Sequence, residues 1–314
     1  MNVHKITLEE WEYRREQNPM SVATSTAFIK SYTESYEVEY SIYSVEKDFQ
    51  VLLAIIIFHK GRDAKSFTHF FNTPFYKKVD LSDDLMNEAF ESLLITLKKD
   101  FNAIDLKLSA RNVNTSVFKS WDFHPKRYQT YVIDLAKELK YSLNIRRMLK
   151  KATLEGFYVR LIENNSDIIQ LQINDMLDKG IPTKHAEPIR RWIQTLNEIG
   201  AIKAFVLYDA DRKMQGSCLI VDDKELSAAY LLSIFSRSGI GQSPLYDAFI
   251  QHFKSKNYSV IDLWGGNIPS IAQFKAKWDS DVEYYYVLSY RKYPYIARSI
   301  VSIKGIIKNL LKRV

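Results

Sequence analysis

The sequence predicts an α/β protein of two similar lobes, each with a mixed sheet flanked by helices. Three observations lead there. Strand-like and helix-like segments alternate along a chain of 314 residues, long enough for two domains with sizeable cores. Gln50 to His59 contains the unbroken apolar run VLLAIIIF, which suits a central strand covered on both faces. A strand, turn, helix and strand also recur at a spacing of 157 residues: Ile104-Asp105-Leu106 lies over Ile261-Asp262-Leu263, and Trp121-Asp122 over Trp278-Asp279.

Taken in order, Leu8 to Gln17 and Thr24 to Tyr32 read as helices, and Val38 to Val45 and Gln50 to His59 as strands. A third strand is expected over Lys65 to Phe71. Ser82 then caps an amphipathic helix whose apolar side carries Leu85, Met86, Ala89, Phe90, Leu93, Leu94 and Leu97. A strand at Ala103 to Leu108, a short helix from Asn112 and a strand at Tyr128 to Leu135 close the first lobe. A long basic helix over Ala136 to Gly156 opens the second, stopped by its glycine. It leads into a strand (Phe157 to Ile162), two helices (Ser166 to Lys179, Ala186 to Ile199) and strands at Ala201 to Asp209, Met214 to Asp222 and Leu226 to Phe235. The helix Pro244 to Lys256, the strand Val260 to Leu263, the Gly265-Gly266-Asn267 turn and the helix bearing Phe274 and Lys275 complete it. The expected domains are 1–135, 136–290 and a basic C-terminal helix, 291–314.

Within the repeat, Asn112 falls near Asn267, Phe118-Lys119 near Phe274-Lys275, and Tyr131-Val132 near Tyr286-Val287. The copies differ after the first strand, where Lys107-Leu108-Ser109-Ala110 stands in one and Trp264-Gly265-Gly266 in the other. Glycine lets backbone amides approach a ligand, so the second copy is the expected binding half.

Charge narrows the class. Seven of the 44 basic residues lie after Glu283, where no acid follows, and the remaining 37 balance 37 acids. A nucleic-acid binder would spread its excess over a face, so DNA is not an expected partner. Ile296, Ile300, Ile303, Ile307, Leu310 and Val314 form a stripe beside Lys304, Lys308 and Lys312, a pattern that suits an anionic membrane surface or docking on the protein itself. No apolar run is long enough to span a bilayer and the N-terminus has no signal-like core, so the expected location is cytoplasmic, peripheral at the inner membrane face if the tail binds lipid. The one cysteine, Cys218, lies in an apolar strand context, and the six histidines show no ligand spacing, so no metal is expected.

At this point the chain resembles the FemABX-like branch of the GNAT superfamily, with two tandem acyltransferase folds, and its BioF2-like acetyltransferase domain in particular. The residues that carry the resemblance are Tyr131-Val132-Ile133-Asp134-Leu135, the helix with Arg146-Arg147 and Lys150-Lys151-Ala152, and the closing Ile261-Asp262-Leu263, Gly265-Gly266-Asn267 and Phe274-Lys275. The resemblance implies transfer of an acyl group from acyl-CoA, or an aminoacyl group from a charged tRNA, to an amine of a cell-envelope sugar or peptide precursor, free or lipid-linked. It places Phe274 and Lys275 at the transfer site, with Lys275 facing the developing oxyanion. The plain alternative is a solvated helix lysine.

The phosphate loop expected of such a fold is half present. In Phe235 to Gly241, Gly239 and Gly241 are in place, Ser236 stands at the expected basic position and Arg237 is one place late. Arg237, Gly239, Gly241, Gly265, Gly266 and Asn267 are therefore the donor-binding candidates. Arg111, Arg146, Arg147 and Lys150 are candidates for an anionic acceptor. For proton transfer Tyr230 and Asp247 stand first, with Asp262, His252 and Tyr246 near the right segments, each also readable as an ordinary packing or surface residue. A tandem GNAT-like binding module without catalysis is the competing class.

Overall fold

The computed structural model describes residues 1–66, 72–163, 165–178, 180 and 183–293. The first half runs β1 (Asn2–Ile6), α1 (Leu8–Gln17), α2 (Thr26–Tyr36), β2 (Glu39–Lys47), β3 (Gln50–Lys60), β4 (Asp63–Lys65), β5 (Phe75–Lys77), α3 (Asp83–Asp100), β6 (Ala103–Ser109), α4 (Thr115–Ser120) and β7 (His124–Asp134). The second runs α5 (Leu143–Leu154), β8 (Tyr158–Ile162), α6 (Ser166–Asp178), α7 (Thr183–Glu198), β9 (Ile202–Tyr208), β10 (Met214–Asp223), β11 (Ala228–Ser236), α8 (Ser243–Ser255), β12 (Val260–Asp262), α9 (Pro269–Lys275) and β13 (Asp281–Arg291).

The two expected sheets are one. Thirteen strands join in the order β1-β2-β3-β4-β6-β13-β7-β12-β11-β10-β9-β8, with β5 beside β3. This order reads alike from both ends because the last strand of each copy crosses into the other: β13 pairs with β6, and β7 with β12. Ala103 lies opposite Arg291 and Val260 opposite Asp134, so residues 103 and 134 each have a counterpart 157 positions on, at 260 and 291, in the equivalent pair. Where β7 and β13 meet, Tyr128 faces Tyr285, its own counterpart at that spacing, and their rings stack at 5.5 Å. The duplicated units are thus related by a local twofold through this tyrosine pair. Asp122 and Asp279 repeat even the left-handed backbone, at φ 64 and 58. The strands also correct the sequence alignment: the residue equivalent to Lys275 is the fully buried Phe118, so the Phe-Lys pair is not itself repeated.

Alternation along the strands builds a core on each face. Ile42, Ala54, Ile56, Leu219 and Val221 meet Trp11 and Phe28 of the first helices and Trp192 and Ile193 of α7. On the opposite face Tyr43, Leu53, Ile55 and Ile57 meet Phe90, Leu93 and Leu97 of α3. Cys218 and Ile220 do the same with Leu245, Phe249 and Phe253 of α8. Burial holds the Cys218 thiol well above its ordinary pKa, as suits a packing residue.

Several boundaries move for identifiable reasons. The helix expected from Ala136 begins at Leu143, because Ser142 caps it by accepting from the Ile145 amide, and Asp279 instead holds the preceding loop through the Lys140 amide. Gly156, at φ 76, ends the turn after it as expected. The strand expected over Lys65 to Phe71 is only β4 in the described residues, and residues 67–71 lie outside them. β1 has too weak an alternation to be legible. Arg291, assigned to the tail, is a strand residue bonded to Asp105 at 2.7 Å, and the rest of the tail beyond Tyr293 lies outside the described residues.

Residues 1–135 produced alone leave β6 without β13 and β7 without either neighbour. This fragment is expected to give no cooperative unfolding transition by circular dichroism, whereas the whole chain does.

Candidate active site

The site begins where two strands part. β12 runs parallel to β11 for three residue pairs, ending at Tyr230 opposite Asp262. There β12 turns away while β11 continues to Ser236, so six residues of its edge, roughly 20 Å of extended chain, run on without β12 beside them. The edge is not regular throughout, because β11 carries an extra residue at Leu232 opposite the Leu219–Ile220 step of β10. A cavity lies at each end.

The first cavity, about 450 Å³, opens on the face that carries α1 and α2. Thr130, Tyr230, Asp262, Trp264, Gly265 and Glu283 line one wall, and Met20, Ser21, Phe75, Tyr76 and Tyr284 others. Asp262 accepts through Oδ1 from the Thr130 hydroxyl and, at 2.8 Å, from the Trp264 amide. Burial pushes its carboxyl up to about 6, against the pull of those bonds and of the Lys275 charge. Tyr230 stacks on Trp264 at 5.5 Å, and burial together with the Asp223 and Asp262 charges raises its phenol. Asp223 ties the loop before α2 to the sheet, accepting from the Ser21 hydroxyl at 2.7 Å and the Val22 amide at 3.0 Å.

The wall bearing Trp264 is held from within. Trp264 and Gly265 both take left-handed backbone, at φ 45 and 48, a conformation an indole side chain rarely tolerates. Their carbonyls and that of Leu263 converge on Lys275, whose ammonium donates to Leu263 at 2.7 Å, to Gly265 at 2.6 Å and to Trp264. Lys275 is 5 % exposed, and burial lowers its pKa to about 8. Three protons meet three acceptors. The ammonium expected to face an oxyanion thus points at backbone carbonyls, and Lys275 does not line the first cavity.

The glycine turn likewise departs from expectation. The Gly266 amide donates to the Gln129 carbonyl at 3.1 Å, the Gln129 side chain returns a bond to the Gly266 carbonyl at 2.7 Å, and the Asn267 side chain accepts from the Gln129 amide at 3.1 Å. A Cβ on Gly266 would sit 2.6 Å from the Tyr131 ring. Gly266 and Asn267 thus fasten the turn to β7, and of the three turn residues only Gly265 lines the first cavity.

The second cavity, about 480 Å³, lies on the opposite face between α5 and the start of α8. Asn144, Arg147, Gly239, Gly241, Phe274 and Lys277 are among its lining residues. No side chain caps α8, Gln242 standing at the N-cap and a proline in the first turn, so the helix presents first-turn amides beside the cavity. Phe274 belongs to this cavity while its neighbour Lys275 holds the wall of the other, so α9 stands between them.

Of the remaining candidates, Arg237 is exposed beside the Phe235 ring and does not line either cavity. Asp247 accepts from Gln251 on the α8 surface. Arg111 pairs with Glu283, and Arg146 and Lys150 are exposed on α5, so none of the four acceptor candidates lines the first cavity. Thr130, Trp264 and Glu283 were not foreseen. Asp262 had a usable signal, since the repeat keeps an aspartate at both Asp105 and Asp262. Among the described residues no group of His, Cys, Asp and Glu is placed to hold a metal ion, and no helix is long and apolar enough to cross a membrane.

Several solved structures match over more than nine tenths of the chain. FemX superposes with a TM-score of 0.64 at 12% identity, covering 91% of this chain and 97% of its own. The chain has the FemABX-like tandem GNAT fold. L-PGS from Bacillus licheniformis matches with a TM-score of 0.58 at 10% identity, over 97% of this chain and 98% of its own. A tandem GNAT protein from the clavulanic acid biosynthesis pathway matches with 0.54 at 9% identity, over 92% and 97%. No family model and no curated protein matches the sequence.

Replacing Lys275 by methionine keeps the stem and removes the donor from three converging carbonyls. The expected loss is about 3 kcal/mol of stability, read from urea unfolding.

Proposed function

We propose that the chain is an N-acyltransferase that moves an acyl group from an activated thioester, acyl-CoA foremost, to an amine of a cell-envelope sugar or peptide precursor. The observation that carries this reading is the parted β11 edge, which leaves β12 at the cavity holding Asp262 and leads, past Ser236, to the uncapped start of α8. A phosphate-bearing donor fits the second cavity, where Arg147, Lys277 and the α8 amides offer positive charge. Its extended arm lies along the open edge of β11, hydrogen-bonding as a strand would, and brings the thioester past α9 to Asp262. In this reading the lobe 136–290 holds the donor, and the lobe 1–135 supplies much of the acceptor wall.

The first cavity suits a polar acceptor with ring faces, because aromatic residues alternate there with Thr130, Asp262, Glu283 and Asn112. Asp262 serves as general base. A carboxyl near 6 is ionised at neutral pH yet basic enough to take a proton from the attacking amine as it becomes positively charged. The amine nitrogen bonds to the thioester carbon, the carbonyl oxygen becomes an oxyanion facing the β11 amides, and on collapse the carbon–sulfur bond breaks. The proton held by Asp262 then neutralises the departing thiolate, which leaves an amide and a free thiol. The basic tail, with its apolar stripe, would bring the enzyme to a lipid-linked acceptor at the cytoplasmic membrane face.

Asp262→Asn keeps an acceptor for Thr130 and Trp264 but loses the base. kcat/KM is expected to fall at least 100-fold with acyl-CoA affinity unchanged, and the wild-type profile to rise through a pH near 6. Retained turnover in the variant would remove Asp262 from the mechanism. The folded carboxyl keeps its proton up to about pH 6, while the unfolded one loses it near 3.8, so this group costs the fold stability as pH rises between those values. The same variant should therefore gain on wild type between pH 4 and pH 7 in urea melts.

Acetyl-CoA binding by calorimetry tests the donor site. Arg147→Ala should weaken it about tenfold. Absence of binding to the wild-type protein would sink acyl-CoA as donor, and binding without turnover on any amine would point to a non-catalytic module.

A further inference from the structure

The mouth of the second cavity continues onto the surface of α5 in a way a small donor does not use. Leu143, Arg147, Lys150 and Leu154 follow one another at helical spacings of four, three and four, so they form one row about 16 Å long. Leu143 is 51 % and Leu154 78 % exposed, so the row ends in apolar groups at both sides and is cationic in the middle. Arg146 and Lys151 widen the cationic part, and the helix itself contains no acid; Glu155, just past its end, stands 3.7 Å from Lys151. Across the cavity, Ile268 is 58 % exposed at the start of α9, whose Phe274 lines the cavity.

Resting on the acyltransferase reading, we propose that this row docks an acidic carrier protein that bears the acyl group as a thioester on a phosphopantetheine arm. Charge and shape both argue for it. An acidic amphipathic helix laid along α5 would pair its carboxylates with Arg146, Lys150 and Lys151 and cover the two leucines. A free nucleotide thioester meets the cations near the cavity but leaves Leu154, at the far end of the row, in water. An RNA backbone would use the same cations and gain nothing from aliphatic ends, since RNA recognition relies on phosphate contacts and aromatic stacking. The loop before α8 agrees as well. Ser236 stands where a basic side chain would serve a diphosphate, and Arg237 is turned toward the Phe235 ring, so the cavity offers Arg147, Lys277 and helix amides. That set accepts a phosphate-bearing donor of either kind and already suffices for the single phosphodiester of a protein-borne arm.

The test titrates the full-length protein with three probes: a purified acidic acyl carrier protein loaded with an acetyl group, acetyl-CoA, and total bacterial tRNA. The acetylated carrier is expected to bind at least tenfold tighter than acetyl-CoA. The double variant Arg146→Glu, Lys150→Glu should lose at least tenfold in carrier affinity while acetyl-CoA affinity changes less than twofold. Leu154→Asp, far from the cavity, should show the same split, and far-ultraviolet circular dichroism confirms that the variants are folded. Carrier binding that is absent, or that ignores these substitutions while acetyl-CoA still binds, overturns this proposal and leaves the acyltransferase reading intact. Displacement by tRNA with the same sensitivity, or transfer abolished by ribonuclease, overturns it in favour of an RNA-borne donor. If neither thioester binds, both readings fall.

Discussion

The structure depends on the pairing of β7 with β13. Each is the closing strand of one copy of the duplicated unit, and each completes the sheet of the other. The strand Asp281–Arg291 bonds along its whole length to residues of the first half, and its register is fixed on both sides. A one-residue slip would turn Leu288, buried against the α3 core, to the opposite face, so the register is strongly determined. The site inherits this rigidity. Thr130 of β7, Glu283 of β13 and Asp262 of β12 line one wall because these three strands are neighbours.

A shared frame makes the differences between the copies informative. Phe118 fills its half of the frame with a buried ring, whereas the equivalent Lys275 brings an ammonium to the same depth and gathers three carbonyls. That gathering shapes the Trp264–Gly265 turn. The helices before the two central strands diverge as well. α3 is capped by Ser82 and begins with Asp83 and Asp84, which repel an anion, while α8 has no side-chain cap and begins beside glycines. The start of α8 therefore leaves first-turn amides free of a side-chain cap where the start of α3 does not.

Much of the fold was legible because it rests on local signals. The amphipathic α3, the continuous apolar β3 and the Ser82 cap follow directly from residue pattern. The repeat was legible from Ile-Asp-Leu and Trp-Asp, yet not the strand exchange, since a sequence offset is the same whether each closing strand stays at home or crosses over. The short α4 and α9 misled for a related reason. Phe118-Lys119 and Phe274-Lys275 look alike as dipeptides, yet they lie 156 rather than 157 residues apart, and the strand register confirms that they are one residue out of step. The site was legible by segment and less so by role. Lys275 and Gly266 lie in the right turn, but whether an ammonium faces a substrate or three carbonyls is decided by a backbone conformation at Trp264 that no residue type announces.

The place of β13, far behind β6 and β7 in the sequence, has a consequence for biosynthesis. A ribosome releases β6 and β7 long before residues 281–291 exist, and until then both carry an open edge at what will be the middle of the sheet. Arg291 must find Ala103 across well over half of the length translated by then. Pairings of such sequence separation form late and slowly. The nascent chain therefore waits, with its central strands uncovered, for β13, and in the cell this protein should be a demanding client for the chaperones that shield unfinished sheets.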